Sequence, residues 1–563
     1  MTVSLRAPAR LSCLALALVL AGCATAPSAP VTINIVAIND FHGNLEPSRY
    51  VPVDADGGKA QAIRAGGAEN LAAALQAWRK EDKDLLFVSA GDLVGASPAM
   101  SSLWADEPTI EAMNMLDLRV SAVGNHEFDA GRKELLRQQN GGCDSPRPAK
   151  ACQMATQLGD TYRGAKFTYL AGNVVDSATG KPFIPAFRIE EVKGIKVGLV
   201  GVVLQDTRSV VMASGIAGLR FEDEAEAINR AIPEMRARGA DVIVALVHQG
   251  GTTRDHPLQP GCTNLEGPIV DVVKKIDPAV RLVISGHTHQ GYLCTVDGRT
   301  VTQGASYGHL ATRVAMTVQK GAGVPSEIKV ENVLMKAGDF PADERMAAFV
   351  AKVKDSSRAA LTRPVARLAN APVLRKQNEA GEAPLGNLIA DAVLAGTRNV
   401  GARIGFMNEG GIRKDLEAGE GNVAAFGQAQ AVLPFGNTLV VMDLTGAQIR
   451  RILENQWKEG SSNGSMLQVS QGFSYRWDEK KPVGSRVLGM SLDGQPLDDA
   501  KTYRVVANNF LAEGGDNFPD FAKGTNRLET GMLDLDAFID YLRASEGKGA
   551  SLAPAAPRII KAQ

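Results

Sequence analysis

A short apolar run that ends at a glycine-flanked turn recurs through the first half of this chain and constrains its fold more than any other feature. Such runs are typical of fully buried strands. Helical patterns separate several of them, so the alternation predicts an α/β sandwich with mixed sheets. The strand-like runs are Val31–Asn39, Leu85–Ser89, Arg119–Val123, Asp241–Val247 and Arg281–Ser285, and the helical patterns include Ala68–Lys80 and Glu222–Arg238.

Each of these runs stops at histidine, aspartate or asparagine. Ligands in open α/β sheets bind at the carboxyl ends of strands, so we expect these side chains to form a site. The chain has seven histidines, and we interpret His256 and His309, which follow no such turn, as ordinary loop or core residues. The candidate site residues are Asp40, His42, Asp92, Asn125, His126, His248, His287 and His289.

The donor chemistry of this set points to metal ions. Imidazole, carboxylate and amide donors without a thiolate suit Zn²⁺, Mn²⁺, Fe²⁺ or Co²⁺. Eight candidate groups are too many for one open site and enough for two cations that share a carboxylate. Two cations about 3.5–4 Å apart hold the attacking and leaving oxygens of an in-line displacement and lower the pKa of a bridging water. The set therefore predicts hydrolysis of phosphate esters by a metal-activated hydroxide.

Composition argues against a polymeric partner. The 563 residues carry 61 Lys and Arg against 62 Asp and Glu, a net charge of −1, and 45 % of them are hydrophobic. Because there is no basic excess to neutralise a phosphate backbone, we expect a small-molecule substrate and no nucleic-acid polymer.

The N-terminus has the pattern of a secretory signal. Two arginines precede the apolar run Leu11–Ala21, which is too short to span a bilayer. The run leads into Leu-Ala-Gly-Cys23, which resembles a bacterial lipobox. We interpret residues 1–22 as a lipoprotein signal peptide, Cys23 as the lipidation site and residues 23–31 as a tether. The protein would then be anchored in the periplasm, at the outer membrane. The alternative is a plain signal peptide with an incidental cysteine.

Four cysteines remain once Cys13 and Cys23 are assigned to the signal and the lipid. An even number in an oxidising compartment indicates two disulfides. Three connectivities are open, and we favour Cys143–Cys152 and Cys262–Cys294 because each pair lies within one local segment.

The ordered motifs of the first half resemble a known family. Asp-x-His, Gly-Asp, Gly-Asn-His-Glu, His and Gly-His-x-His follow one another as in the calcineurin-like metallophosphoesterases. Their spacing, together with the second half, resembles the 5′-nucleotidase / UDP-sugar hydrolase family over about residues 32 to 545. The resemblance implies two sheets flanked by helices in a metallophosphoesterase domain at 32–335. It also implies a linker helix at 336–364 and an α+β nucleotide-binding domain at 365–563.

The resemblance also implies a role for each candidate in the first half. His126 would stabilise charge on the transferring phosphoryl group, and Asp129 would orient its imidazole and keep it protonated. The cofactors would be two divalent metal ions, with Zn, Mn or Co favoured. Asp40, His42, Asp92 and His289 would hold one metal, and Asp92, Asn125, His248 and His287 the other, with Asp92 shared.

Three glycine-rich motifs in the second half, Asn408–Arg413, Pro434–Asn437 and Phe510–Asp516, resemble the nucleotide-binding domain of that family. Glycine lets a backbone approach a ligand closely, and two loop phenylalanines can sandwich a base. Glu409 stands where the family commonly has glycine; it would disfavour highly charged substrates or point to solvent. The resemblance implies Phe435 and Phe510 for the base, Asn408 and Asp516 for the ribose or base edge, Arg413 for phosphate, and Arg375, with Lys376 as its competitor, as a second phosphate contact.

The predicted activity is hydrolysis of nucleoside 5′-monophosphates to nucleoside and phosphate. Alternatives in the same class are 2′,3′-cyclic-nucleotide 2′-phosphodiesterase with 3′-nucleotidase activity, and UDP-sugar diphosphatase. A remoter alternative is a non-catalytic surface lipoprotein that binds nucleotides. A site divided between two domains also implies rotation about the helix predicted at Pro341–Leu361.

Overall fold

The computed structural model describes residues 1–2, 29–52, 61–154, 160–458, 464–546 and 557–562. Residues 3–22 of the predicted signal peptide and Cys23 lie outside these residues, and both assignments stay predictions. Within the described part of the chain, no helix combines the length and the apolar character that crossing a bilayer requires.

The first sheet of the N-terminal domain is mixed, as predicted. The first strand of the chain, Val31–Ile38, pairs in parallel with Leu86–Ser89 and antiparallel with Leu310–Val318. Across the sheet the strands lie in the order Glu327–Leu334, Leu310–Val318, Val31–Ile38, Leu86–Ser89, Val120–Ala122 and Thr168–Leu170.

A second six-stranded sheet faces the first and is also mixed. All five strands predicted from the apolar runs are present in the two sheets, each within one residue of its expected ends. Ile35 and Val88 of the first sheet belong to one buried cluster with Val244 and Leu282 of the second, so these apolar runs fill the space between the sheets. The second sheet has the order Gly291–Val296, Arg299–Gly304, Val280–Ser285, Val242–His248, Ile195–Val203 and Phe187–Val192.

Helices cover the outer faces of both sheets, which completes the predicted sandwich. Amphipathic helices bury one face there and leave the other to solvent. The N-terminal helices are Gly67–Glu81, Ala99–Ser102, Glu107–Met115, Gly131–Asn140, Thr207–Val210, Glu224–Ala237 and Pro268–Lys275, with short 3-10 turns at His126–Phe128 and Ala213–Ile216.

The connecting helix begins at Glu344 rather than at Pro341 and ends at Leu361 as expected. Its first turn is capped by the Asp343 carboxylate, which accepts a hydrogen bond from the Met346 amide at 2.9 Å. Met346 and Val353 are buried in the core of the N-terminal domain. The helix is therefore part of that domain.

The C-terminal domain is α+β, as predicted. Its five-stranded sheet has the order Gln468–Val469, Ile404–Met407, Thr502–Asn508, Thr438–Thr445 and Thr525–Leu533. A four-stranded sheet has the order Gln495–Pro496, Val487–Leu492, Phe473–Trp477 and Ile559–Lys561, and Pro364–Arg367 pairs with Val423–Ala425. The helices are Pro384–Thr397, Phe426–Val432, Gly446–Glu454, Asn509–Ala512 and Asp534–Ser545.

Polar groups join the two domains. The buried Gln430 side chain donates to Ser102 Oγ at 2.7 Å and to the Ser97 carbonyl at 3.3 Å. Its Oε1 atom has no hydrogen-bond partner among the described residues. Elsewhere the Glu513 carboxylate accepts from the Ser214 amide at 3.2 Å and from its hydroxyl at 3.4 Å.

Both favoured disulfides are formed, Cys143 with Cys152 and Cys262 with Cys294. The second fastens the segment before Pro268–Lys275 to the edge strand Gly291–Val296, which follows directly on the turn that carries His287 and His289.

Candidate active site

The turns that end the five predicted strands meet at one edge of the sandwich. Asp40, His42 and His289 each place a donor atom within 4.8 Å of the others, and so do Asp92, His248 and His287. The site is therefore assembled from both sheets, as parallel strands with their carboxyl ends at a common edge allow.

Asp92 lies between the two groups. Its Oδ2 atom is 3.0 Å from His248 Nε2 and 3.6 Å from His42 Nε2. The Asn125 amide oxygen lies 3.2 Å from His248 Nε2 and 3.0 Å from His287 Nδ1, which adds it to the second group. This is the arrangement expected if Asp92 is shared between two metal ions.

The backbone is strained where these donors stand. Asp40, His42, Asp92, His287 and His289 all have φ between 47° and 75°, in the left-handed region that residues with a Cβ rarely adopt. Such strain persists where the surrounding structure enforces it, and it clusters at ligand and catalytic sites.

The imidazoles are oriented for cation binding. His42 Nδ1 lies 2.8 Å from the Gly95 carbonyl oxygen, and His248 Nδ1 lies 2.7 Å from that of Ala90. A ring that donates from Nδ1 keeps Nε2 as an acceptor, which is how histidines that bind metals are fixed by their neighbours. His42 Nε2 lies 3.1 Å from His289 Nε2, so the two nitrogens are close enough for one divalent cation to bind both. The imidazole, carboxylate and amide donors found here fit Zn²⁺, Mn²⁺, Fe²⁺ or Co²⁺.

Burial and neighbouring charges set the pKa values of the carboxylates and imidazoles in the site. Burial opposes the ionised form of Asp92, but the His248 and His126 imidazoles outweigh it and hold the pKa of this carboxyl well below its usual range. Burial likewise opposes ionisation of Asp40, and His289 outweighs it to lower that pKa to about 2. Burial lowers the pKa of His42 well below its usual value. Two anionic carboxylates and a neutral imidazole are the forms that bind cations.

His126 and Asp129 form the predicted pair. The two carboxylate oxygens of Asp129 lie 2.9 and 3.1 Å from His126 Nδ1. Burial disfavours the charged imidazole, but Asp129 and then Asp92 outweigh it and raise the pKa of His126. Since Asp129 occupies Nδ1, Nε2 is left for the substrate.

A cleft between the domains joins this centre to the C-terminal motifs. From the N-terminal domain it is lined by Asn125, His126, Asp129, Val210, Val211, Met212 and His287, and from the C-terminal domain by Asn408, Gly410, Gly411, Arg413, Phe435, Asn437, Phe510 and Asp516. Five of the six residues predicted to bind substrate are thus brought together with the metal-site residues.

Within the cleft, the C-terminal residues brace one another. Asn408 donates to the Asp516 carboxylate at 2.7 Å. The Phe435 ring lies nearly parallel to the His126 imidazole, with 5.8 Å between centroids. The Arg413 guanidinium lies 5.9 Å from the Phe435 centroid.

Arg375, the sixth, lies outside the cleft. Its guanidinium donates to the Ile412 carbonyl at 2.7 Å, and it lines a neighbouring cavity together with Tyr307, Arg413 and Lys414. Its role in binding phosphate stays a prediction. Glu409 is exposed at the surface, where desolvation of its carboxylate raises its pKa against the opposing charge of Arg375.

Some residues at the site carry no role in the sequence analysis. Asn39 donates to Asp40 Oδ2 at 2.6 Å and so supports a predicted ligand. Glu127 accepts hydrogen bonds from the loop that carries Asp92. Asn39 stands beside the predicted ligand Asp40, and Glu127 beside the predicted catalytic residue His126, which is the signal that could have identified them. Val210–Met212 gives no comparable local signal.

The fold and this donor set define a class: the chain is a metallophosphoesterase, a phosphoric ester hydrolase. A family model for calcineurin-like phosphoesterases matches residues 33–291, and a model for the 5′-nucleotidase C-terminal domain matches residues 364–523. The chain belongs to the 5′-nucleotidase family of calcineurin-like metallophosphoesterases.

Individual proteins show the same likeness. The cell wall protein Lmo0130 of Listeria monocytogenes is 31 % identical over 561 residues, which cover 93 % of this chain and 69 % of that protein. The endonuclease YhcR of Bacillus subtilis is 32 % identical over 92 % of this chain, and this chain spans 40 % of its length. The crystal structure of a 5′-nucleotidase precursor from Thermus thermophilus is 28 % identical, with a TM-score of 0.75 over 94 % of this chain and 99 % of that one.

Proposed function

We propose that this protein hydrolyses nucleoside 5′-monophosphates to nucleoside and phosphate at a dinuclear metal centre. The observation that carries the proposal is the shared cleft, in which Asn125, His126 and His287 face Phe435 and Phe510 across the domain boundary. A nucleotide has a phosphate for the first group and an aromatic base for the second.

The residues of the chain divide the work. Asp40, His42, Asp92 and His289 would hold one divalent cation, and Asp92, Asn125, His248 and His287 the other. When bound, such cations activate water and polarise phosphoryl oxygens. His126, kept protonated by Asp129, faces the phosphoryl group and stabilises its developing charge. Zn²⁺, Mn²⁺ and Co²⁺ are the ions we propose, and elemental analysis of the purified protein identifies them.

The phenylalanines hold the base. Stacking on an aromatic side chain contributes about 1–3 kcal/mol per base. We therefore expect Phe510→Leu to raise KM for AMP about 5- to 140-fold, with turnover of ribose 5-phosphate, which has no base, unchanged. Steady-state phosphate release measures both. Phe518→Leu is the matched control, because Phe518 lies in the same segment but is buried in the core.

The outcomes of this experiment separate the candidates. Equal loss on both substrates would contradict base stacking, and no phosphate release from AMP by the wild type would contradict the proposed function. A wild type that prefers UDP-glucose or 2′,3′-cyclic AMP would favour the alternatives in the same class. A polynucleotide belongs in the panel because one relative is named an endonuclease.

We further propose that the protein is a periplasmic lipoprotein held by Cys23, on the pattern of its N-terminal sequence. Metabolic labelling with a radioactive fatty acid tests this. We expect the wild type to be labelled and Cys23→Ser to be unlabelled, and an unlabelled wild type would contradict the anchor.

A further inference from the structure

Glu127 is a fully buried carboxylate beside the metal-site residues, and it has no role in the reaction described above. It accepts hydrogen bonds only from backbone amides among the contacts of the described residues. Oε1 accepts from Leu93 at 2.8 Å and from Val94 at 3.4 Å. Oε2 accepts from Asp92 at 3.0 Å and also from the Gly124 amide.

These amides belong to two different loops. One loop carries Asp92, the shared ligand, and the other carries Asn125, a ligand of the second proposed cation. Oε2 of Glu127 bridges the loops because it binds Asp92 and Gly124 at once. The connection runs both ways, since Asp92 Oδ1 accepts from the His126 amide at 2.9 Å.

The two loops lie so close together that neither Gly124 nor Gly91 has room for a side chain. A Cβ on Gly124 would lie 2.0 Å from Asp92 Oδ1, and a Cβ on Gly91 would lie 2.6 Å from the Gly124 amide nitrogen. Real Cβ atoms do not come so near, so both loops need glycine here. Backbone amides this deep need an acceptor, because a buried amide without one loses the hydrogen bond that water would give it.

We propose that Glu127 is a positioning residue that fixes the distance between Asp92 and Asn125, and thereby the second metal-binding position. The first position also draws on the loop that Glu127 holds, because Asp92 is its shared ligand and the His42 amide donates to the Asp92 carbonyl at 3.0 Å. The second position depends in addition on the spacing between the two loops, so loss of Glu127 weakens both cations and the second one more. This inference rests on the proposed dinuclear centre.

Glu127→Gln tests it with little change in shape. An amide has one oxygen, so its NH₂ group must face two of the backbone amides that the carboxylate accepted from. Supporting residues of this kind change metal affinity about 10–100-fold when mutated. We expect calorimetric titration of the metal-free protein with Mn²⁺ to show the second ion bound about 10–100-fold more weakly than in the wild type and the first ion weakened by less. The spectrum of a coupled Mn²⁺ pair, seen by electron paramagnetic resonance in the wild type, should be lost at equal ion concentration.

Glu454→Gln is the matched control. Glu454 is a buried carboxylate of the C-terminal domain that accepts from the amides of Arg486 at 2.9 Å and Val487 at 2.7 Å. The Glu454→Gln variant should have a lower melting temperature, as Glu127→Gln does, but it should bind both ions normally.

Wild-type affinity for both ions in Glu127→Gln would overturn the inference, and so would an equal loss in Glu454→Gln. If Glu127→Gln does not fold, Glu127→Asp keeps a carboxyl group but is too short to span both loops, and normal binding of both ions by that variant would overturn the inference equally. A wild type that binds fewer than two ions would instead remove the dinuclear centre, and the inference with it.

Discussion

His126 touches three parts of the site at once. Its Nδ1 is bound by Asp129, its amide is bound by Asp92, and its ring lies against Phe435 from the other domain. A side chain held on three sides needs little reorganisation when charge develops on the substrate. Asp129 acts on the reaction only through this imidazole, so it is a positioning residue.

Asp129→Asn should lower kcat about 10- to 100-fold and leave KM for AMP and metal content nearly unchanged. The amide cannot stabilise the imidazolium, while neither the cleft nor the ligands change. His126→Ala should lower kcat further than Asp129→Asn does, because it removes the group that meets the phosphate. Steady-state kinetics with elemental analysis measure these effects. Asp144→Asn, at an exposed ion pair with Lys133, is the control. A normal kcat in Asp129→Asn would contradict the role.

At the scale of elements, the strands and their polar ends could be predicted because both signals are local. An apolar run such as the one in Val242–His248 predicts a buried strand, and the histidine at its end indicates the edge of the sheet where ligands bind. The pairing of the cysteines was local as well. The bounds of the strands, for the same reason, were accurate to a residue.

Contacts between distant segments could not be predicted in this way. The support that Glu127 gives to Asp92 spans 35 residues of sequence and depends on how two loops pack. The connecting helix shows the same limit. Its periodicity predicts a helix, but only the packing of Met346 and Val353 reveals that it belongs to the N-terminal core. We therefore expect rotation of the domains, if it occurs about this connection, to take place after Leu361 rather than within the helix.

At the scale of the molecule, the cleft has walls from both domains, so we expect release of a bound nucleoside to require the domains to part. Ser214 and Glu513 face each other across the domain boundary. Cysteines at these two positions, joined by a short bismaleimide, should reduce turnover of AMP by at least about tenfold, because product release then has no open state. Phosphate release before and after crosslinking measures the effect. The same double variant treated with a monofunctional maleimide is the control, and full activity in the locked protein would contradict domain opening.

The boundary between the domains contains buried polar groups, the side-chain amide of Gln430 and the hydroxyl of Ser102. Water can supply the same hydrogen bonds at little net cost, whereas a hydrocarbon seam of equal area would resist wetting by about 25 cal/mol per Å² exposed. We therefore expect solvent to enter this boundary when the domains part, while the hydrophobic interior of each half stays dry. Loading and unloading of the cleft need not draw on the stability of either fold.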